Sequence, residues 1–223
     1  MLDMGPSHSS ETRGASGPHA GQSVLRRGPA AAQARVAVIL VHGRGDSAAG
    51  ILGLSEEFPF EDVLWVAPQA EGSTWYPYSF LTAMDQNEPG LSSGLSVIGS
   101  LVGSLITEGV FAEQIALMGF SQGACLAQEY AARNARRYRA VVGLSGGLIG
   151  PPGAPRDYAG SFDRTPVFLG CSDMDPHIPL ARVQESADVF RRMGAEVDER
   201  IYPRMGHTVN ADEISRVTEI LQR

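Results

Sequence analysis

The chain has 223 residues, 43% of them hydrophobic, with 18 basic and 25 acidic side chains and a formal net charge of −7. That length and apolar content suit one domain with a sizeable core, and the acidic balance argues against nucleic acid and anionic membrane surfaces as partners. All 18 basic residues are arginine, which excludes a catalytic lysine and a lysine Schiff base.

Residues 1–21, MLDMGPSHSSETRGASGPHAG, are rich in Ser, Gly, Pro and His and contain no apolar run of signal-peptide or membrane-span length. This composition predicts a flexible leader, a domain over 22–223, and a cytoplasmic protein that does not insert into a membrane. From Gln22 onward, short apolar runs alternate with helical patterns. Strands are predicted at Val24–Arg27, Val36–Val41, Val63–Ala67, Ile115–Gly119, Ala140–Leu144, Val167–Gly170 and Val197–Tyr202. Leu95, Ile98, Leu101, Val102, Leu105 and Ile106 recur at helical spacing, as do Leu180, Val183, Ala187 and Phe190. A last helix opens with Asn210 and Glu213 spaced as a capping box and places Ile214, Val217, Ile220 and Leu221 on one face. Continuous apolar strands interleaved with helices predict a mostly parallel sheet covered on both faces, a three-layer α/β sandwich. The two cysteines, Cys125 and Cys171, each fall in a core element and read as inert thiols.

At residues 115–124, IALMGFSQGA, a buried strand stops on Gly119-Phe120-Ser121-Gln122-Gly123 and a helix-forming stretch follows. Strand, tight turn and helix make a nucleophile elbow. A serine on such a turn takes strained backbone angles that lift its hydroxyl clear of the sheet, and glycines two before and two after relieve the crowding. In a parallel sheet, functional groups collect on the loops beyond the strands' carboxyl ends. Three such loops carry candidates: His42-Gly43-Arg44-Gly45-Asp46, Cys171 to Pro179 with Asp173 and Asp175, and Pro203 to His207. His42 reads as a residue tying its own turn by hydrogen bonds. His177 stands too close to Asp175 in sequence to lie across the site from it, so both histidines read as structural.

Together, LVHGRGDS (40–47), APQAEGSTWYPYSF (67–80), GFSQGA (119–124), DPHIP (175–179) and GHTV (206–209) resemble the phospholipase/carboxylesterase family of α/β-hydrolases, which includes the acyl-protein thioesterases. The resemblance runs from about Gln22 to Leu221. It implies Ser121 as nucleophile, Asp175 as acid and His207 as base, in the chain order Ser, Asp, His that α/β-hydrolases use. It also implies an oxyanion hole made by the backbone N–H groups of Arg44 and Gln122. The thioesterase branch usually has Leu at the position of Arg44, and its tryptophan is not followed by a stretch like YPYSF. Those departures favour the bacterial carboxylesterase branch.

The chemistry so implied is attack of Ser121 on an ester carbonyl with His207 as base, then hydrolysis of the acyl-enzyme. It needs no cofactor, and the sequence has no HExxH, paired Cys or His ligands, or phosphate-binding glycine loop. Trp75 and Tyr76 are the candidate substrate-binding residues, with Tyr78 and Phe80 nearby. The short connection from Leu144 to Thr165 suits a surface loop rather than a cap, so the cleft is expected to be open and to take small, short-acyl esters. An acyl-protein or acyl-CoA thioesterase or lysophospholipase is the alternative, and a non-catalytic binding protein on the same scaffold is a third reading. The oligomeric state has no signal in the sequence.

Overall fold

Apolar runs without alternation form strands that are buried on both faces, and the sheet here is built from them. The computed structural model describes residues 9–11 and 14–223. Its strands are β1 (Ser9–Glu11), β2 (Ser23–Arg27), β3 (Val36–Val41), β4 (Val63–Pro68), β5 (Ile115–Phe120), β6 (Ala140–Leu144), β7 (Pro166–Ser172) and β8 (Glu196–Tyr202). They lie in the order β1-β2-β4-β3-β5-β6-β7-β8. β1 and β2 run antiparallel to their neighbours, and every pairing from β4 to β8 is parallel. Helices α1 (Ala48–Gly53), α2 (Gly90–Thr107), α3 (Gln122–Arg133), α4 (Leu180–Arg192) and α5 (Ala211–Gln222) cover the two faces.

The strand β3 shows why the runs are continuous. Ala37, Ile39 and Val41 pack into one core with side chains of α2, α3 and α4, whereas Val36, Val38 and Leu40 enter a second core with α1 and α5. Successive side chains of a strand point to opposite faces, so a strand covered on both sides must be apolar at every position. The sandwich expected from sequence is therefore present, with all seven predicted strands. The short helix α1, with only six residues and no long periodic pattern, is an addition to that reading.

α2 is long and apolar enough to cross a membrane by length and composition alone, but half of that span is buried inside the fold. Its Leu91, Val97, Ile98, Leu101, Val102 and Leu105 belong to the first core, so the apolar stripe already has a partner. α5 begins with the expected capping box: Asn210 Oδ1 accepts the Glu213 N–H at 3.0 Å, and Glu213 accepts the Asn210 N–H at 2.9 Å.

The leader departs from expectation where it is described. Residues 14–21 do not hang free but lie against the start of α2: Ser16 N–H donates to Ser96 Oγ and His19 N–H to Ser93 Oγ. His19 is buried, and its ring nitrogens meet the Trp75 carbonyl at 2.8 Å and the Glu71 N–H at 3.0 Å. A polar segment stays ordered here because a neighbouring loop offers it buried hydrogen-bonding groups, which composition does not reveal. Residues 1–8, 12 and 13 of the same expected leader lie outside the described residues.

Parallel pairing brings the functional loops to one edge. Val41 pairs with Gly119 and Phe120 with Leu144, so β3, β5 and β6 end level with one another, and Ser172 of β7 pairs with Tyr202 of β8. The connection after β6 carries no helix and is tied down at its start, where Leu148 N–H donates to Ser186 Oγ, Ile149 N–H to Glu129, and Arg182 to the carbonyls of Leu148 and Gly150. Among the described residues, no cap domain stands over that edge.

Candidate active site

Ser121 sits between β5 and α3 with φ 55° and ψ −121°. That left-handed φ is costly for a residue with a Cβ, and the surroundings enforce it. The Ser121 N–H donates to the Leu144 carbonyl at 2.9 Å and its carbonyl accepts from the Cys125 N–H at 3.0 Å. A side chain on Gly119 would run into the backbone of Gly123, and one on Gly123 into the Val41 carbonyl. Those two glycines let α3 turn back tightly over the sheet, and the turn leaves the hydroxyl at the strand end.

From β8, the loop before α5 carries His207 to the same place. Its Nε2 lies 2.8 Å from Ser121 Oγ and its Nδ1 2.7 Å from Asp175 Oδ2. Asp175 follows β7, and its side chain is fully buried, whereas the His207 side chain keeps 18% of its surface exposed. The second carboxylate oxygen accepts the N–H groups of His177 at 2.8 Å and Ile178 at 3.0 Å. Burial pushes the Asp175 carboxyl up, but the His207 bond and those two amides outweigh it and hold the group below its ordinary range. It is thus an ionised, fully bonded acceptor for the imidazole. Asp173, its neighbour two residues earlier, turns elsewhere: it accepts the Arg204 N–H at 2.7 Å, bracing the loop that carries His207.

The structure therefore brings Ser121, His207 and Asp175 into one hydrogen-bonded line. Gly43 and Arg44 lie beside it, since a Cβ on Gly43 would stand 3.4 Å from that of Ser121. Gln122 is the first residue of α3, so its N–H has no partner four residues back within the helix and sits at the positive end of the helix dipole. Ser121 opens onto a cleft of about 600 Å³ lined by Arg44, Tyr76, Tyr78, Phe80, Phe120 and Ile178, among others.

Of the two residues expected to bind substrate, Tyr76 lines the cleft and Trp75 does not. Trp75 is buried behind the wall, with its Nε1–H on the His42 carbonyl at 2.9 Å and its ring against His19 and His42. A tryptophan beside a cleft loop packs inward when its indole N–H finds a core acceptor. His42 ties its turn as expected, meeting the Gly43 carbonyl at 2.7 Å and the Ala70 N–H at 3.1 Å, and burial pushes its pKa down. His177 is a correction, because it lines the cleft with its ring edge-on to His207 at 4.9 Å between centroids. Closeness in sequence to Asp175 did not keep it away, because the turn that donates its N–H to Asp175 also swings its ring over the histidine. Sequence reasoning passed over Asn87 and His19 as supporting residues: His19 acts through bonds to Glu71 and Trp75, more than fifty residues away, and Asn87 through bonds to Tyr78 and Ser79. Both cysteines are buried, and burial pushes each thiol up to about 12. Among the described residues, no group of three His, Cys, Asp or Glu side chains is placed to hold a metal ion.

This fold and this edge of the sheet define an α/β-hydrolase. A family model for phospholipase/carboxylesterase matches residues 28–223. The chain is 41% identical to a phospholipase/carboxylesterase of known crystal structure from Dyadobacter fermentans, with a TM-score of 0.87 over 91% of this chain and 97% of that one. It is 26% identical to acyl-protein thioesterase 1 of Gibberella zeae, over 87% of this chain and 93% of the relative. It is also 26% identical to acyl-protein thioesterase 1 of Saccharomyces cerevisiae, over 85% and 93%. The chain belongs to the phospholipase/carboxylesterase family, and it is a hydrolase acting on esters.

Proposed function

We propose that the protein is a serine carboxylesterase that cleaves small, short-acyl esters through Ser121, His207 and Asp175. The observation that carries this reading is the hydrogen-bonded line from Asp175 Oδ2 through His207 to Ser121 Oγ, with steps of 2.7 and 2.8 Å, at the floor of an uncapped cleft. His207 takes the Ser121 proton as the hydroxyl attacks the carbonyl carbon. The ionised Asp175 holds the Nδ1–H tautomer and stabilises the imidazolium that forms. His207 then gives the proton to the departing alcohol, and water repeats the attack on the acyl-enzyme. The backbone N–H groups of Gln122 and Arg44 receive the charge on the tetrahedral oxygen, Gln122 with the help of the α3 dipole.

The same groups serve a thioester, and the curated relatives named acyl-protein thioesterase 1 favour that as the second reading. Exposed Tyr78 on the cleft and Met174 on the loop before Asp175 offer apolar surface near the site. The reading adopted is a cytoplasmic enzyme without a cofactor that acts on a small-molecule ester, inserts into no membrane and binds no nucleic acid. The net charge of −7 supports the last point.

The test is a panel of matched oxygen esters and thioesters of increasing acyl length, together with a serine-directed phosphonate. Phosphonate labelling at Ser121 and highest kcat/KM on short oxygen esters are expected. Labelling elsewhere would sink the nucleophile assignment, and a preference for long-chain thioesters would favour the second reading.

A further inference from the structure

The Arg44 guanidinium does something its backbone role does not require. Its Nη1 donates to the Pro77 carbonyl at 2.9 Å, and its Nη2 to the carbonyls of Tyr76 at 2.9 Å and Tyr78 at 2.8 Å. Three successive carbonyls rarely converge on one point, and here a planar fork of donors gathers them. The guanidinium also lies 6.0 Å from the Tyr76 ring centroid. Two other side chains hold the same stretch. Gln122 accepts the Trp75 N–H and donates to the Tyr76 carbonyl, each at 2.9 Å, while Asn87 accepts the Tyr78 N–H at 2.9 Å and donates to the Ser79 carbonyl at 3.0 Å. Gln122 and Asn87 are buried, whereas Arg44 is exposed, so Arg44 can be replaced without opening the core.

We propose that the Arg44 side chain is a positioning and specificity-determining residue: it clamps the Tyr76–Tyr78 wall to the loop carrying the Arg44 N–H, fixing both the oxyanion donor and the cleft width. This rests on the serine-esterase reading above. Tyr76, Tyr78 and Phe80 line the cleft that Ser121 opens onto, so movement of this wall changes the space beside the acyl group. The clamp joins two parts with separate consequences. Drift of the Arg44 N–H weakens transition-state binding and lowers kcat, because donors act only at the position the oxyanion occupies. Relaxation of the wall admits longer acyl groups and flattens chain-length preference.

The test compares the full chain with its Arg44→Ala and Arg44→Lys variants on p-nitrophenyl esters from acetate to decanoate, with amide hydrogen exchange read over residues 73–80. Both variants keep the backbone N–H. For Arg44→Ala, kcat on the acetate should fall about tenfold with KM within about threefold, less than the loss of a whole oxyanion donor. The ratio of kcat/KM for short over long esters should fall by at least about fivefold, the range open to a pocket that gains or loses methylene-sized space. The Trp75 and Tyr78 amides should exchange faster, and the melting temperature should hold within a few degrees. Arg44→Lys should recover only part of the ratio, since an ammonium is a point donor without the fork. An unchanged short-to-long ratio in Arg44→Ala, whether activity holds or falls equally on every ester, overturns the proposal. Phosphonate labelling of the wild-type chain reports the nucleophile separately: if Ser121 is not labelled, the esterase reading fails, and unchanged amide exchange in Arg44→Ala then overturns the clamp as well.

Discussion

The two walls of the cleft are held in different ways. On one side, Ser121, Asp175 and His207 stand on loops that leave the ends of adjacent or nearby strands, and short local turns aim each of them. On the other, the 75–80 stretch has no regular structure for most of its length and is held by side chains from elsewhere, Arg44, Gln122 and Asn87, with His19 behind Trp75. The chemistry rests on backbone register, and the shape of the pocket rests on long-range side-chain bonds. Catalytic power and substrate selectivity should therefore respond to different substitutions, except at Arg44, whose side chain joins the two walls.

Ser121→Ala is the largest expected effect. It should reduce turnover by about 10⁴-fold or more on every ester, as loss of a triad nucleophile does, while the thermal transition stays in place. Near wild-type activity in the folded variant would show that Ser121 is not the nucleophile.

Asp175→Asn should follow, with kcat lower by on the order of 10⁴ through the wrong imidazole tautomer. Asp173→Asn should lose less than about tenfold, because Asp173 braces the Arg204 turn and does not touch the imidazole. The reverse ranking in a side-by-side assay would move the acid to Asp173. The pH profile sharpens this pair. Asp175 is held below the ordinary carboxyl range by its bonds. Its contribution to stability is present above the unfolded carboxyl value of about 3.9 and is lost only as pH drops through its lower folded value. A stability difference between the wild type and Asp175→Asn that already vanished at about pH 5 would contradict that.

Trp75→Ala probes the other wall. A fully buried indole with a bonded N–H should cost about 3–5 kcal/mol of stability, read by denaturant unfolding. Activity per folded molecule should change similarly on all acyl lengths, because the ring stands behind the cleft. A selective shift in chain-length preference at unchanged stability would return Trp75 to the substrate side.

Glu213→Gln is the smallest effect. Burial pushes the Glu213 carboxyl up to about 7, with one carboxylate oxygen taken by the Asn210 N–H and the other unpartnered among the described residues. A raised acid pKa means that the folded state holds the proton longer than the unfolded chain. The stability it contributes is complete below about pH 4.3 and is lost as pH rises toward about 7. Glutamine keeps the capping acceptor without the charge, so the melting temperature of the variant should fall less than that of the wild type between pH 5 and pH 8, by a few degrees. Parallel melting curves across that range would show that Glu213 does not titrate there.

All seven strands of the domain beyond the leader were legible from apolar runs, and the capping box of α5 from two residues three apart. Both signals are local. A strand covered on both faces writes its burial into every position, and a cap writes its bonds into its own turn. Ser121, Asp175 and His207 were equally legible as candidates, since a strand's carboxyl end is a position sequence periodicity marks. The direction of an aromatic ring at a loop is another matter. Trp75 and Tyr76 are adjacent and both are buried in one core, yet only Tyr76 lines the cleft, and Trp75 is held behind it by the His42 carbonyl and by His19, 56 residues away from Trp75. His177 over His207, the order of residues 14–21 and the Arg44 clamp have the same origin. Each depends on partners that neighbour it only after the sheet has brought distant loops to one edge, so the amino-acid sequence alone determined the layers and the candidate groups of the site, and the tertiary structure decided what surrounds them.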